Sequence, residues 1–527
     1  MILVNQIRLP LSRGQEEAVR IAVRKLGLSH GDVRYAGISK ISVDARRKAP
    51  ELVYTVAVSL AQPEKEVKFA QKGADISVVH PPIFEFPNVS QKPEHPPVVC
   101  GLGPAGLFAG LVLARAGLCP VVLERGPRVE ERAERVRRFE ACGELDEDAN
   151  IQFGEGGAGT FSDGKLTTRI KDPLCAFVTQ TLLEHGAPAE IAVRQKPHIG
   201  TDLLRGVIAS IREEMIRLGA TVHFDTKMTG IVTRGGSMHA VKTQNGEIPC
   251  EHLVLAVGHS ARDTFLMLHE NGMTLAAKPF SVGFRAEHLQ EKIEQSLYHD
   301  AAGHPALPRG EYQLSHHVGK RCVYSFCMCP GGQVVAAASE AGGVVTNGMS
   351  LHARDGKNAN AAVAVSVSPE DFGNDALRAM EFQRTLEQRA FAAGGGGYAA
   401  PAENVQSFLK GEGKLKITDV QPTYPRGVTA ANLGALLPDE LAETLRIGLG
   451  AFDRKLRGYT APEAVLTGLE TRTSGPIRLQ RGEDFISRDI DGLYPCGEGA
   501  GYAGGIMSAA VDGVRVASAV LRSLEHF

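Results

Sequence analysis

The chain has 527 residues, too many for one hydrophobic core and enough for two or three domains. Apolar residues make up 43% of it and charged residues 22%, which is the composition of an ordinary globular protein. The formal net charge of −2 gives no sign of a protein specialised for nucleic acid or for a membrane surface.

The cysteines and the first residues bear on the compartment. The nine cysteines are odd in number and scattered, and no two form a CxxC pair, so we expect reduced thiols rather than a disulfide framework. The start, MILVNQIRLPL, lacks the basic region, apolar region and cleavage site of a secretory signal. We therefore expect a cytoplasmic protein.

Residues 1–92 predict a small α+β domain of the ferredoxin-like type. Strand-like runs occur at Ile2–Leu9, Val33–Val43 and Leu52–Leu60, and an amphipathic helical stretch at Glu16–Leu26 follows the first of them. Prolines then crowd a short segment, where we place a linker because it can be neither helix nor central strand. These prolines are Pro81, Pro82, Pro87, Pro93, Pro96 and Pro97.

From residue 98 the pattern changes to β-α-β, the start of a dinucleotide-binding fold. It predicts a buried strand at Val98–Gly101, a helix at Pro104–Ala116 and a second strand at Pro120–Glu124. Residues 96–114 carry no charge over a length close to a membrane span, but their glycines and prolines suit a strand that turns into a helix.

The glycines between that strand and helix have the spacing GxGxxG. Gly101 permits the tight turn, Gly103 lets the backbone approach a pyrophosphate, and Gly106 lets the helix pack closely on the sheet. Glu124 can accept hydrogen bonds from an adenosine ribose, which favours FAD or NAD over NADP. Arg125 beside it leaves NADP open, although a solvated charge at a strand end explains it at least as well.

A second glycine-rich segment, residues 492–517, favours FAD over NAD. It predicts a strand, a turn and a helix that begins near Gly504. Glu498 lies where it can accept hydrogen bonds from ribityl or pyrophosphate-adjacent hydroxyls, and the helix N-terminus from Gly505 directs partial positive charge at the flavin. The alternative is a glycine-rich C-terminal helix of a Rossmann sheet.

The strand predicted at His252–Ala261 ends in glycine and small polar residues, which is typical of a strand beside a bound dinucleotide. Any buried strand that leaves a sheet can end in this way. We interpret His259 as a structural loop histidine rather than a catalytic base.

Residues 279–427 differ in character and predict an inserted β-rich domain. Strand-like runs occur at Arg321–Met328, Gln333–Ala338 and Ala361–Val367, and a helix is predicted at Leu377–Phe391. We expect this domain to cover the flavin and shape the substrate cavity.

Seven segments together resemble a bacterial family known only as uncharacterised FAD-dependent dehydrogenases. They span almost everything from residue 98 to the C-terminus: GLGPAGLFAG, NIQFGEGGAGTFSDGKL, KPFSVGFR, VYSFCMCPGGQVV, NGMS with NANAAV, GLETRTSGPIR and PCGEGAGYAGGIMSAAVDG. Their order is also similar to that of the glutathione-reductase-like superfamily of two-dinucleotide-binding-domain flavoproteins. Only one complete nucleotide fingerprint is present, which argues against a separate NAD(P)H domain.

The resemblance implies an α/β protein whose Rossmann-like FAD-binding domain is assembled from residues 93–278 and 428–527. It implies no substrate and no metal, and NAD(P)H is a candidate electron donor. The candidate cofactor-binding residues are Gly101, Gly103, Pro104, Ala105, Gly106, Glu124, Arg125, Gly157, Thr160, Ser162, Lys165, Met228, Gly258, Gly497, Glu498, Gly504, Gly505 and Ile506.

Catalytic residues are harder to predict, because flavin chemistry needs positioning and electrostatics more than a fixed set of side chains. Glu470 is a candidate for moving a proton. A structural polar role explains each candidate at least as well. The candidates for binding an anionic or carbonyl substrate are Arg285, Arg354, Arg472, Asn358 and Asn360.

Cys327 and Cys329 invite a redox interpretation. In a strand their side chains would share a face about 6.6 Å apart, at a rise of roughly 3.3 Å per residue, whereas a disulfide needs Cβ atoms about 4 Å apart. Unless Pro330 and Gly331 bend the segment, we expect two buried thiols.

We predict an FAD-dependent reductase or dehydrogenase that transfers hydride between a small molecule and flavin N5. Two alternatives stay open. One is a flavin monooxygenase, and the other is an RNA-associated flavoprotein that uses its mildly basic N-terminal domain. The favoured prediction has neither a nucleic-acid nor a membrane partner.

Overall fold

The N-terminal sheet is built from the alternating runs that the sequence predicts. The elements are β1 (Ile2–Pro10), α1 (Gln15–Leu26), β2 (Val33–Asp44), β3 (Glu51–Leu60) and β4 (Ile76–Val78). In the computed structural model, which describes residues 1–47, 49–69, 73–80, 84–87, 89 and 92–525, the order is β2-β3-β1-β4 with antiparallel pairs. The described elements form a β-α-β-β unit, and a short fourth strand pairs with β1 at the edge of the sheet. Ala18, Ala22 and Leu26 of α1 pack against the sheet.

The segment from residue 98 to residue 277 begins with the expected β-α-β unit. Its first part comprises β5 (Val98–Cys100), α2 (Pro104–Arg115), β6 (Val121–Leu123), α3 (Val129–Cys142), α4 (Leu174–Glu184), α5 (Thr201–Arg217) and β7 (Thr221–His223). Its second part comprises β8 (Met228–Arg234), β9 (Ser237–Thr243), β10 (Gly246–Pro249), β11 (Leu253–Leu255), α6 (Arg262–Glu270) and β12 (Leu275–Ala277).

The rest of the chain is dominated by strands. It continues with β13 (Phe280–Leu289), α7 (Gln290–Tyr298), β14 (Ser315–Val318), β15 (Arg321–Cys329), β16 (Gln333–Ala336), β17 (Thr346–Met349), β18 (Asn358–Val367) and α8 (Ala376–Ala393). It ends with β19 (Ala400–Asn404), α9 (Val405–Lys410), β20 (Val428–Ala430), α10 (Asp439–Lys455), β21 (Val465–Glu470), β22 (Ile477–Leu479), β23 (Leu493–Pro495) and α11 (Ile506–Ser523).

The parallel sheet has the order β23-β11-β5-β6-β7 and takes strands from both ends of the chain beyond the N-terminal unit. Strands β23, β11 and β5 are buried on both faces, which suits their short and largely apolar sequences, whereas the edge strand β7 is polar and exposed at both ends. Helices α2, α4, α5 and α11 cover one face, and α6 with the β8–β10 sheet covers the other. No helix in the described part of the chain is long and apolar enough to cross a membrane.

The large sheet has the order β14-β15-β18-β13-β21-β19-β20, with antiparallel pairs except between β19 and β20. Helix α10 packs its apolar stripe against this sheet. Strands β20 and β21 of this sheet and helix α10 come after Gly427 in the chain. The predicted domain boundary after Gly427 therefore cuts through the large sheet and its covering helix. The central strand β13 was not predicted as a strand, although its residues are buried.

The proline-rich segment packs against the unit that follows it. Pro81 and Pro82 lie outside the described residues, and in the described remainder up to residue 97 there is no helix or strand. Phe84 and Phe86 both contact Phe177 of α4 edge to face, with ring centroids 5.4 and 5.3 Å apart. These contacts tie the first half of the predicted linker to the helices of the parallel sheet.

Candidate functional site

A cleft lies where the carboxyl ends of the parallel strands face the large sheet. It is lined on one side by residues that follow β5, β6, β11 and β23, and on the other by residues in or just after β15, β17 and β21. Strand β5 lies between β6, which follows it in the chain, and β11, which comes much later. The order of the strands in the sheet therefore reverses direction at β5. Ligands of open α/β sheets bind outside the carboxyl ends of the strands at such a reversal of strand order.

The turn after β5 needs its glycines for different reasons. Gly101 has a φ of 97°, and a Cβ on Gly106 would lie 1.8 Å from the carbonyl oxygen of Gly101. The first described atom that a Cβ on Gly103 would meet is the Cα of Gly157, at 3.7 Å. The protein therefore leaves space beside Gly103 at the N-terminus of α2, as the approach of a pyrophosphate requires.

Glu124 faces the cleft from the end of β6 and also holds the neighbouring turns. One carboxylate oxygen accepts a hydrogen bond from the Leu102 N–H at 2.8 Å. The other accepts from the N–H groups of Gly126 and Gly154, at 3.0 and 3.1 Å. The sequence predicted a ribose ligand at this position and missed the structural role.

Arg125, whose position left NADP open, is mostly buried and paired. Its guanidinium lies 4.2 Å from the ring centroid of Phe153, and Nη2 donates to Asp263 at 3.1 Å. The interpretation as a solvated charge is therefore wrong. The side chain lines the cleft with its charge already balanced.

A buried arginine that the sequence did not single out shapes the glycine-rich loop after α3. The Arg132 guanidinium donates to the carbonyl oxygens of residues 150, 151, 154, 155 and 157 at 2.7–3.2 Å. Burial lowers the pKa of Arg132 to about 9. These bonds fix the 3-10 turn Gly157–Phe161, whose first residues line the cleft. In the sequence Arg132 is one of many charges on a polar helix, so no local signal marks it.

The second helix N-terminus at the cleft belongs to α11. This helix begins at Ile506, two residues after the predicted start, and is preceded by Gly505 with a φ of 113°. A Cβ added to Gly258, Gly504 or Gly505 would meet no described atom within 4 Å. The open glycines leave room for a ligand between the end of β11 and the first turn of α11.

Glu498 and His259 lie side by side at this end of the cleft, with Oε1 and Nδ1 3.5 Å apart. Burial raises the pKa of Glu498 to about 7, although the Lys278 ammonium opposes this shift. Burial also lowers the pKa of His259 to about 3, and the nearby charges of Arg472 and Lys278 act in the same direction. The imidazole is therefore neutral near pH 7, while Glu498 takes up or releases a proton there.

Glu470 lines the cleft from the large sheet and is held from behind by Arg285. The guanidinium donates from Nε and Nη2 to the two carboxylate oxygens at 2.7 and 2.8 Å. Burial raises the pKa of Glu470 to about 7, although Arg285 opposes the shift. Arg285 is fully buried, does not line the cleft and also donates to Asn347 at 2.9 Å. It positions Glu470 rather than reaching a substrate.

Arg472 lines the cleft, but its donors are bound inside the protein. Nε and Nη2 donate to Glu387 at 2.9 and 2.8 Å, and Nη1 donates to Ser339. Arg262 donates to the same carboxylate from two nitrogens, each at 2.8 Å. Although burial opposes it, Arg472 and Arg262 hold the pKa of Glu387 well below its usual range.

Three further substrate-binding candidates lie away from the cleft. Arg354 donates from Nε to Asp163 at 2.9 Å, and Asn358 donates to a buried carboxylate of β13 at 3.0 Å. The side-chain oxygen of Asn360 accepts from Arg285 at 3.3 Å. Each residue has a structural partner, so the structure does not bring them to the site.

Cys327 and Cys329 both line the cleft, but they are not two buried thiols on an extended strand. The pairing of β15 with β18 shifts between Phe326 and Cys329, and Cys327 has a φ of 41°. Cys329 is buried, whereas Cys327 is exposed to the cleft. The strand bends at Cys327, ahead of Pro330. Burial raises the pKa of Cys329 to about 11, so Cys329 is a thiol at neutral pH.

The cleft gathers most of the cofactor candidates. Gly106, Thr160 and Gly497 do not line it. The candidates that do are Gly101, Gly103, Pro104, Ala105, Glu124, Arg125, Gly157, Ser162, Lys165, Met228, Gly258, Glu498, Gly504, Gly505 and Ile506. Residues that the sequence did not single out also line it, among them Gln152, Phe153, Thr226, Ser260, Thr264, Asn347 and Thr473. Gln152, Phe153, Asn347 and Thr473 lie in segments of the family resemblance and Ser260 lies in a predicted strand, whereas Thr226 and Thr264 lie in no motif.

The protein has a 47% identical relative in Clostridium beijerinckii, an uncharacterised protein. The similarity extends over 530 aligned residues and covers 99% of both chains. The chain belongs to the same family as this protein. A family model described as the C-terminal domain of an FAD-dependent protein matches residues 279–473, and a domain of unknown function matches residues 1–59.

FAD is the cofactor of this chain. The FAD-dependent family model covers the large sheet, which faces the parallel sheet across the cleft. The cleft also fits a dinucleotide, because two helix N-termini, the carboxylates of Glu124 and Glu498, and glycines without steric neighbours all face it.

Solved structures of flavoproteins are only distantly similar. A flavin-dependent brominase has 11% identity and a TM-score of 0.39, over 82% of this chain and 80% of that one. A geranylgeranyl bacteriochlorophyll reductase-like protein of Thermoplasma acidophilum has 11% identity and a TM-score of 0.35, over 81% and 78%. CtdE, solved with FAD, has 11% identity and a TM-score of 0.30, over 81% and 83%. At these scores nothing about their activities carries over.

Proposed function

We propose that this protein is an FAD-dependent oxidoreductase of the reductase or dehydrogenase type, acting on a small molecule rather than on nucleic acid. The supporting observation is the cleft in which cofactor candidates of the parallel sheet face polar side chains of the large sheet. We place the protein in the cytoplasm and in the glutathione-reductase-like superfamily. In this proposal, FAD is bound by residues 98–277 together with β23, α11 and the loop between them. The large sheet forms the substrate side of the cleft.

The residues of the chain have separable tasks in this proposal. The N-terminus of α2 binds the pyrophosphate beside Gly103, and Glu124 binds the adenosine ribose. The N-terminus of α11 faces the flavin and favours negative charge there. Bound FAD supplies a hydride acceptor or donor at N5. Glu470 and Glu498, both with a pKa of about 7, can each hold or release a proton in the cleft near neutral pH.

The decisive experiment is the absorption spectrum of the purified protein, followed by anaerobic titration with NADH and with NADPH. We expect a bound flavin spectrum that is bleached by one of the two nucleotides without any further substrate. Bleaching that needs a second substrate, followed by transfer of oxygen to it in air, would support a monooxygenase instead. Purified protein without flavin, and unable to bind added FAD, would overturn the proposal.

A further inference from the structure

We propose that Cys327 and Cys329 form a redox-active dithiol that exchanges an electron pair with FAD in the cleft. This inference rests on the proposed function, because it needs the flavin at the same site. Both cysteines line the cleft together with Gly258, Glu498 and Gly505. The pair belongs to β15 of the large sheet, whereas Gly258, Glu498 and Gly505 follow strands of the parallel sheet, and Lys165 of the glycine-rich loop contacts the segment between the two cysteines.

The bend of β15 takes the two cysteines out of the extended geometry that argues against a bond between their sulfurs. An extended strand would hold the side chains of residues i and i+2 about 6.6 Å apart. Here the register shifts between Phe326 and Cys329, and Cys327 is in the left-handed region at a φ of 41°. The sulfur of Cys329 is turned back over the preceding residues, since it lies 3.2 Å from the carbonyl oxygen of Cys327.

Two cationic side chains hold this bend. Nη1 of the buried Arg285 donates to the carbonyl oxygen of Cys327 at 2.8 Å, and the ammonium of Lys165 donates to the carbonyl oxygen of Met328. A left-handed conformation at a residue other than glycine is uncommon and persists only where its surroundings impose it. The two donors impose it on the three-residue segment that carries both thiols.

The proposed step balances without a further reagent. Oxidation of the pair breaks two S–H bonds and forms one S–S bond. The two electrons and one of the two protons that leave the thiols reduce oxidised FAD to its anionic reduced form, and the other proton goes to solvent. In the reverse direction, the reduced flavin gives up the two electrons and one proton, solvent supplies the second proton, and the S–S bond breaks to restore both thiols.

The test is an anaerobic dithionite titration of the FAD-containing protein after oxidation by ferricyanide and removal of the excess. We expect the wild-type protein to take up four electrons per FAD, two for the flavin and two for the disulfide. The Cys329→Ser variant should take up only two. Cys322→Ser is the matched control, because Cys322 belongs to the same strand but does not line the cleft, and it should still take up four.

Mass spectrometry after alkylation provides a measurement that does not depend on any variant. In the oxidised wild-type protein, the peptide with Cys327 and Cys329 should be unalkylated and lighter by two hydrogens, and after dithionite both thiols should be alkylated. Uptake of only two electrons by flavin-containing wild-type protein, with both thiols alkylated after oxidation, would overturn the dithiol and leave the proposed function standing. Absence of bound flavin would overturn both.

Discussion

The two walls of the cleft are stabilised in different ways. The wall formed by the parallel sheet is shaped by backbone, with glycines at the helix N-termini and a buried carboxylate that binds three N–H groups. The wall formed by the large sheet is shaped by buried ion pairs, above all Arg285 with Glu470 and Arg472 with Glu387. The hydrogen bonds of Glu124 in the first wall join residues 2 to 30 positions apart, whereas the two ion pairs of the second wall join residues 85 to 185 positions apart.

This difference separates binding from stability. Changes at the open glycines of the backbone wall should affect FAD more than the fold, because a side chain there would fill the space of the ligand without clashing with the described part of the protein. These glycines are Gly103, Gly258, Gly504 and Gly505. Substitutions in the ion-pair wall should lower the stability of the fold first. Each ion pair is buried, so a charged side chain that loses its partner is left without water to solvate it.

The largest expected effect is the loss of FAD in Gly103→Val. Because a Cβ at Gly103 first meets a described atom at 3.7 Å, the protein tolerates the start of a side chain that would occupy the pyrophosphate space. We expect purified protein without the flavin absorbance but with wild-type circular dichroism. Gly206→Val is the control, at an exposed glycine of α5 that has open space around it and does not line the cleft. Stoichiometric FAD in the Gly103 variant would show that the pyrophosphate lies elsewhere.

The next largest effect is a loss of stability in Arg285→Met, which changes the wall formed by the large sheet. Removal of the guanidinium leaves Glu470 buried without its partner, which costs about 3 to 5 kcal/mol for pairs of this kind. Urea unfolding should show this loss. The exposed pair Arg137 with Glu134 provides the control, and Arg137→Met should change stability by less than about 1 kcal/mol.

A double variant distinguishes the loss of the ion pair from a general packing defect in Arg285→Met. If Glu470 is the group left unpaired, the double variant Arg285→Met with Glu470→Gln should recover part of the lost stability. Equal stability of the single and double variants would mean that Arg285 acts mainly through Asn347 and the carbonyl of Cys327.

These two walls also explain how far the sequence could predict the molecule. The turn at Gly101 and the helix after it follow from rules that act over a few residues, so the motif specifies them. Arg132 and Arg285 have no such signal, because their partners are set by the tertiary fold. The strand β13 was missed for a related reason, since a strand buried on both faces does not alternate apolar and polar residues.

A smaller effect is expected in Glu124→Gln, which tests whether the backbone wall is purely a binding surface. The change removes a charge-assisted ribose bond worth on the order of 1.5 to 3 kcal/mol and replaces one of the two oxygens that accept backbone N–H groups. We expect FAD to bind more weakly by about one to two orders of magnitude, measured by flavin fluorescence, together with a modest loss of stability. Unchanged affinity with reduced stability would leave Glu124 only its structural role.

The smallest expected effect is a shift in the pKa of the reduced flavin when the N-terminus of α11 is changed. The first N–H groups of a helix have no partner within the helix and carry partial positive charge, which favours the anionic form of a reduced flavin nearby. Gly505 cannot be replaced by proline, because its φ of 113° lies far from the proline value near −65°. Ile506, the first residue of the helix, can accept proline, because this position has helical backbone.

We therefore expect Ile506→Pro to raise the pKa of the reduced flavin relative to Ile506→Ala, which loses the same side chain but keeps the N–H. A helix terminus contributes roughly 0.3 to 2 kcal/mol, which sets an upper bound of about 1.5 pKa units for the loss of one donor. The measurement is a pH titration of the reduced flavin spectrum in both variants. The neutral form should then persist to higher pH in the proline variant. Identical pKa values in two variants that both bind FAD would mean that α11 does not face the part of the flavin where the negative charge collects.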